Sequence, residues 1–185
     1  MPQTRLGGYW YSGLKEQTEA PTASNQFMSG LAKYISTDVT FEGTFSGTNP
    51  SGATITVPVS MKVSAGGLAG EIVICSDPEG GDGEANWISW LTKVYSKIDA
   101  DCSLIPADFI PAVPLPCWKL IGPGFSRSTL YAAYKGNEND PQGPVADALA
   151  RGVMGDLMKN PIPTFPGQYT GGFIGTYTVS LVKTP

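Results

Sequence analysis

Between Thr37 and Val63 the chain alternates apolar and polar residues almost without a break, and this pattern limits what it can fold into. Val39, Phe41, Gly43, Phe45 and Gly47 fall on one side; Asp38, Thr40, Glu42, Thr44 and Ser46 fall on the other. After Asn49-Pro50-Ser51-Gly52 the alternation resumes, with Ile55, Val57, Val59, Met61 and Val63 set against Thr54, Thr56, Ser60 and Lys62. A period of two with one apolar face and one Thr/Ser face predicts a half-buried antiparallel hairpin. The Asn-Pro-Ser-Gly cluster supplies its turn, because proline fixes φ and glycine accepts the left-handed region.

A second segment repeats the pattern. From Gln168 to Val182, Tyr169, Gly171, Phe173, Gly175, Tyr177, Val179 and Leu181 share one face. Phe173-Ile174-Gly175-Thr176-Tyr177-Thr178 echoes Phe41-Glu42-Gly43-Thr44-Phe45-Ser46, both reading Phe-x-Gly-Thr-aromatic-hydroxyl. Aromatic residues alternating with glycines allow a ring to lie across the strands over a glycine. The two segments are therefore expected to be neighbours in one sheet. Glu71–Cys75 and Phe125–Tyr134 read as further strands.

Helices are read from a different period. Trp87, Trp90, Leu91, Val94, Tyr95 and Ile98 form one apolar stripe, which predicts a core helix over about 85–98. Val145, Leu149, Val153 and Leu157 step by four and predict another over about 144–159, where Ala148, Gly152 and Gly155 leave a strip for close backbone approach. A shorter helix is expected between Ser24 and Ile35, weakened by Gly30. The sum is a β-rich α+β fold, an antiparallel sandwich or barrel with two flanking helices, in a single globular domain over 25–185. Residues 1–24 read as an extended N-terminal arm, its aromatic cluster Tyr9-Trp10-Tyr11 lying in a glycine-rich polar stretch. The segment 104–121 reads as an apolar insert stiffened by Pro106, Pro111, Pro114 and Pro116.

The chain has no histidine, which removes Ser-His-Asp and Cys-His nucleophile pairs, His-ligated metals and any imidazole proton shuttle. The remaining candidate cluster is Asp77, Glu79, Asp82 and Glu84, four carboxylates among glycines. They offer a weak calcium candidate or a glycosidase-like pair beside Trp87 and Trp90. Their spacing fails the EF-hand pattern, and acids in a single loop do not straddle a substrate. A solvated loop, with Asp82 or Asn86 capping the following helix, accounts for them better. No catalytic residue, enzyme activity or cofactor is assigned. Cys102 and Cys117 could pair and close the proline-rich loop, but without a secretion signal they are expected to stay reduced; Cys75 reads as a buried thiol.

Only 15% of the residues are charged, the net charge is −4 and no basic run occurs. A nucleic-acid groove needs a concentrated positive face, so no direct nucleic-acid binding is expected. No apolar run suits a signal peptide or a membrane span. Low charge suits a subunit that buries surface against copies of itself. The aromatic arm and the proline segment each either fold back on their own core or dock on a neighbour. On the second reading Tyr9, Trp10, Tyr11, Phe109, Ile110, Val113, Leu115 and Trp118 are interface residues.

The Thr/Gly-rich strand pair Val39–Val63, the helix Asn86–Ile98 and the terminal strand Gly171–Val182 together resemble bacteriophage virion structural proteins of the tail-tube, tail-terminator or neck, or capsid-decoration type. The likeness covers about half the chain, and the insert 104–121 and the second helix depart from the tail-tube pattern. It implies a structural, self-assembling subunit of a virion, with copies of itself and other structural subunits as partners. Outside that reading the chain is expected to be cytoplasmic. The alternative from the residues is a monomeric carbohydrate-type binding module using Trp87 and Trp90, and a third reading is an enzyme on the acidic loop.

Overall fold

A computed structural model describes residues 3–14, 20–69, 84–106, 115–121, 132, 136, 142–159 and 161–183. The strand expected at Glu71–Cys75, nearly all of the strand expected at Phe125–Tyr134 and the residues 107–114 of the proline segment lie outside them. In chain order the elements are α1 (Arg5–Leu14), α2 (Ala20–Asp38), β1 (Val39–Thr48), β2 (Thr54–Ser64), α3 (Gly66–Ala69), α4 (Glu84–Asp101), β3 (Ser103–Pro106), β4 (Leu115–Pro116), α5 (Gln142–Lys159), β5 (Thr164–Tyr169) and β6 (Phe173–Lys183).

The six strands form one antiparallel sheet in the order β4-β3-β2-β1-β6-β5. The fold is thus β-rich α+β, with one sheet in place of the two a sandwich needs. Its two edges meet. Trp118, just past β4, bridges Pro161, just before β5, and the Ile162 N–H donates to the Cys117 carbonyl at 2.9 Å. This seam curls the sheet nearly into a barrel.

The β1–β2 hairpin turns as its residues dictate. Gly52 sits at φ +85° and its N–H donates to the Asn49 carbonyl at 2.9 Å. The Asn49 Oδ1 accepts from the Ser51 N–H, the Ser51 hydroxyl and the Ala53 N–H, so the loop is tied to one side chain. β1 pairs on its other side with β6, as the shared motif predicts. Phe45 lies opposite Tyr177 with ring centroids 4.7 Å apart, and Gly47 lies opposite Gly175. The ring over Gly47 is that of Phe45 on the same strand, not one from across the sheet. Glycine is required at Gly43 and Gly175 for a different reason. A Cβ on Gly43 would stand 1.9 Å from the Thr178 carbonyl oxygen, and one on Gly175 would stand 1.9 Å from that of Ser46.

Prolines occupy the free edges. Pro58 sits opposite Thr44 without breaking the β1–β2 ladder, which puts its missing N–H on the side away from β1. Among the described residues, β1 is the only strand paired with β2 over 54–60. Pro166 and Pro116 similarly stand on the outermost strands, β5 and β4. A missing donor on an exposed edge discourages pairing with a foreign strand.

The inward faces and the helices share one core. Phe41, Phe45, Met61, Tyr177 and Val179 meet Leu31 and Ile35 of α2, Val94 and Ile98 of α4, and Val153 and Leu157 of α5. The α4 stripe is buried as predicted at Trp90, Leu91, Val94, Tyr95 and Ile98; the side chain of Trp87 lies outside the description. The α5 stripe is shifted from the expected one. Ala146, Ala150, Val153 and Leu157 are buried, whereas Val145 and Leu149 are half-buried. α1 packs along α5, and a Cβ at Gly155 would meet nothing within 4 Å.

The largest departure from the sequence reading is at the N-terminus. The described part of the expected arm is helical, not extended: 5–14 form α1 and 20–38 form the long α2, which runs directly into β1. Thr4 caps α1 by accepting the Gly7 N–H at 3.0 Å. Trp10 then packs into the core, stacked on Phe27 at 4.2 Å between centroids, while its Nε1 donates to the Phe27 carbonyl at 3.0 Å. Gly30 does not end the helix in which it lies. It makes space for Trp10, since a Cβ there would come within 2.7 Å of the indole Cδ1.

Candidate functional surface

Most of the groups that the sequence offered for chemistry lie outside the described residues. Asp77, Glu79 and Asp82 lie outside the described residues; Glu84 opens α4 with its side chain outside the description. Among the described residues no group of three acids or cysteines is placed to hold a metal. Trp90, half of the proposed sugar platform, is only 6% exposed and meets the Phe27 ring edge-on at 4.7 Å. That burial overturns Trp90 as a ligand platform.

The expected interface residues divide in the same way. Trp10 is 1% exposed and Trp118 2% exposed, and both are core residues. The Trp118 Nε1 donates to the Leu157 carbonyl at 3.0 Å, and its ring meets Phe41 at 5.5 Å. Leu115 is buried beside them. Tyr9 and Tyr11 are half-buried against the same core; the Tyr9 hydroxyl donates to Asp38, and Lys33 Nζ stands 4.6 Å over its ring. Phe109, Ile110 and Val113 lie outside the described residues.

Two buried carboxylates hold the helical layer, and neither stood out in the sequence. Asp38 reads as an outward strand residue, yet it ends α2 and is 1% exposed. It pairs with Arg5 and accepts from Tyr9 Oη and Thr37 Oγ1. Asp147 of α5 accepts the Gln3 N–H, the Thr4 N–H and the Thr4 hydroxyl, clamping the start of α1 from across the fold. A Cβ at Gly7 would collide with Asp147 Oδ1 at 2.3 Å, so that contact also requires a glycine.

Burial pushes both carboxyls up, but their donors outweigh it. Hydrogen bonds from Arg5, Thr37 and Tyr9 hold Asp38 below the usual carboxylate range, and those from Gln3 and Thr4, with the charge of Arg151, do the same for Asp147. A carboxyl lowered on folding contributes stability above its unfolded pKa, about 3.9, and loses it as pH falls toward the folded value. The urea midpoint is therefore expected to fall as the pH drops below about 4, and less steeply in Asp147→Asn. A pH-independent midpoint there contradicts the clamp. Asp147→Ala, which leaves the donors at Gln3 and Thr4 without this acceptor, is expected to cost about 1–3 kcal/mol.

What remains is a surface. The even-numbered residues of β1, β2, β5 and β6 face outward, and cross-strand pairing sets them in rows. Pro166, Thr176, Ser46 and Thr56 form one row; Thr164, Thr178, Thr44 and Pro58 form the next; Ser180, Glu42 and Ser60 form a third. Ser46 and Thr56 hydroxyls are hydrogen-bonded at 3.1 Å, and Lys62 Nζ donates to Thr40 Oγ1 at 3.1 Å. Glu42 and Lys62 are the only charged side chains on this face among the described strands. Ile174, Val182 and Ile105 add apolar area on it, at 62%, 41% and 49% exposure.

No known protein family matches the chain, nor does any curated protein or solved structure. No described helix is long and apolar enough to cross a membrane.

Proposed function

We propose that the protein is a structural subunit that assembles with copies of itself, and that a phage particle is its setting. The observation carrying this reading is the outward sheet face, broad and nearly free of charge, with exposed Ile174, Val182 and Ile105 among Thr and Ser side chains. Interface centres are depleted of charged residues in this way. Edge prolines at Pro58, Pro116 and Pro166 disfavour association by strand addition, which leaves face-to-face contact as the mode. The binding-module reading has lost Trp90 to the core.

Light scattering on a size-exclusion column tests the proposal. Across a concentration series the mass is expected to rise above the 19.5 kDa of one chain toward a fixed multiple. A constant single-chain mass at every concentration refutes self-assembly.

A further inference from the structure

The free thiols Cys102 and Cys117 are both buried and belong to no function described above. β3 and β4 pair antiparallel with Ser103 opposite Pro116 and Leu104 opposite Leu115. Carried one residue beyond these pairs, that register would set Cys102 opposite Cys117. Residues opposite one another share a face, and the burial agrees: Cys102 and Leu104, Leu115 and Cys117 point inward, whereas Pro116 is exposed.

We propose that Cys102 and Cys117 form a cross-strand disulfide that staples the seam of the barrel when the chain folds in an oxidising medium. Opposed residues in an antiparallel pair have Cα atoms about 4.5–5.5 Å apart, within the roughly 4.4–6.8 Å that a disulfide spans. The position gives the bond a consequence. Cys102 follows α4, its N–H donating to Ile98 at 3.0 Å, and the Cys117 carbonyl accepts from Ile162 across the seam. One covalent link therefore ties the end of α4, the β3–β4 pair and the contact that closes the sheet. Burial, with Asp101 and Asp99 nearby, pushes the Cys102 thiol up to about 12; burial and the neighbouring Cys102 push Cys117 higher still. The folded, reduced pair is thus a poor nucleophile, and oxidation belongs to folding rather than to the finished fold.

The chemistry is exchange with a small-molecule disulfide such as oxidised glutathione. The Cys102 thiolate attacks one glutathione sulfur and expels a glutathione thiolate. Cys117, deprotonated, then attacks Cys102 in the mixed disulfide and expels the second. Two protein thiols are oxidised, one glutathione disulfide is reduced to two thiols, and the two protein protons end on them.

The test refolds the full chain carrying Cys75→Ser from urea in a glutathione redox buffer. Expected are a mass lower by two hydrogens, no alkylatable thiol, a peptide joining Cys102 to Cys117, and a Tm higher by roughly 6–12 °C that reductant reverses. The same treatment of Cys75→Ser/Cys102→Ser is expected to give no such gain. Two alkylatable thiols in the refolded monomer overturn the proposal, as does a bond that forms without raising Tm. If Cys75→Ser does not fold, the wild-type chain is mapped instead, and linkage through Cys75 rather than between Cys102 and Cys117 overturns it.

Discussion

Gly175→Ala is expected to lower the stability of the fold by about 3 kcal/mol or more. The added Cβ meets the Ser46 carbonyl oxygen at 1.9 Å and Gly47 Cα at 2.5 Å, and both are backbone of the central strand. No rotamer change relieves that contact; β1 and β6 would have to separate where they pair from Val39–Lys183 to Thr48–Ile174. Ordinary overpacking costs about 1–3 kcal/mol, and a backbone collision in the middle of a sheet lies at or beyond the top of that range. Against a total stability of about 5–15 kcal/mol this is a large loss. The control is Gly155→Ala. Its Cβ points into open space within α5, so it is expected to stabilise by up to about 1 kcal/mol through helix propensity. Urea titrations followed by circular dichroism compare the two. Equal midpoints for Gly175→Ala and the wild type contradict the described β1–β6 contact.

Trp10→Ala is expected to cost about 3–5 kcal/mol. The indole is 1% exposed, stacks on Phe27 and donates to the Phe27 carbonyl, so its loss opens a cavity and removes a buried hydrogen bond. The effect separates two roles that the sequence left open. An interface arm, when truncated, lowers oligomer mass and spares the fold. A core helix, when truncated, lowers the Tm of the monomer itself. The second is expected here, and deletion of residues 1–14 should behave like an amplified Trp10→Ala. An unchanged monomer Tm in Trp10→Ala argues instead for the arm.

The parts of this fold that the sequence exposed are those built from regular periods. The alternation of Val39–Val63 placed the hairpin, and the Phe-x-Gly-Thr echo placed β6 beside it, because paired strands must share a pleat and a buried face. The Trp90–Ile98 stripe of α4 was legible for the same kind of reason. What misled was glycine. Gly7 and Gly30 lower local helix propensity, and in isolation they describe a loose arm and a weak helix. In the fold each removes a Cβ where another element passes, Asp147 at Gly7 and Trp10 at Gly30. Those neighbours lie 20 or more positions away along the chain, so no local window contains the reason. The clamp by Asp147 joins residues more than 140 positions apart and was equally out of reach.

The candidate surface was only partly legible. The polar face of the hairpin and its neighbour β6 were plain in the sequence, but its extension over β5 and the addition of Ile105 from β3 depend on strand order. The aromatic candidates pointed the wrong way, since Trp10 and Trp118 each spend their N–H on a backbone carbonyl inside the core. A buried tryptophan with a satisfied indole has the same composition as an interface anchor. Only packing distinguishes them.

Sedimentation equilibrium on the wild type and on Ser46→Lys/Thr178→Lys tests assembly through the sheet face most directly. Both positions point outward on adjacent strands, so charge there leaves the core untouched. Expected are a concentration-dependent oligomer for the wild type and a species of about 19.5 kDa with an unchanged circular dichroism spectrum for the variant. Identical oligomers for both, or single chains for both at every concentration, would contradict assembly through this face.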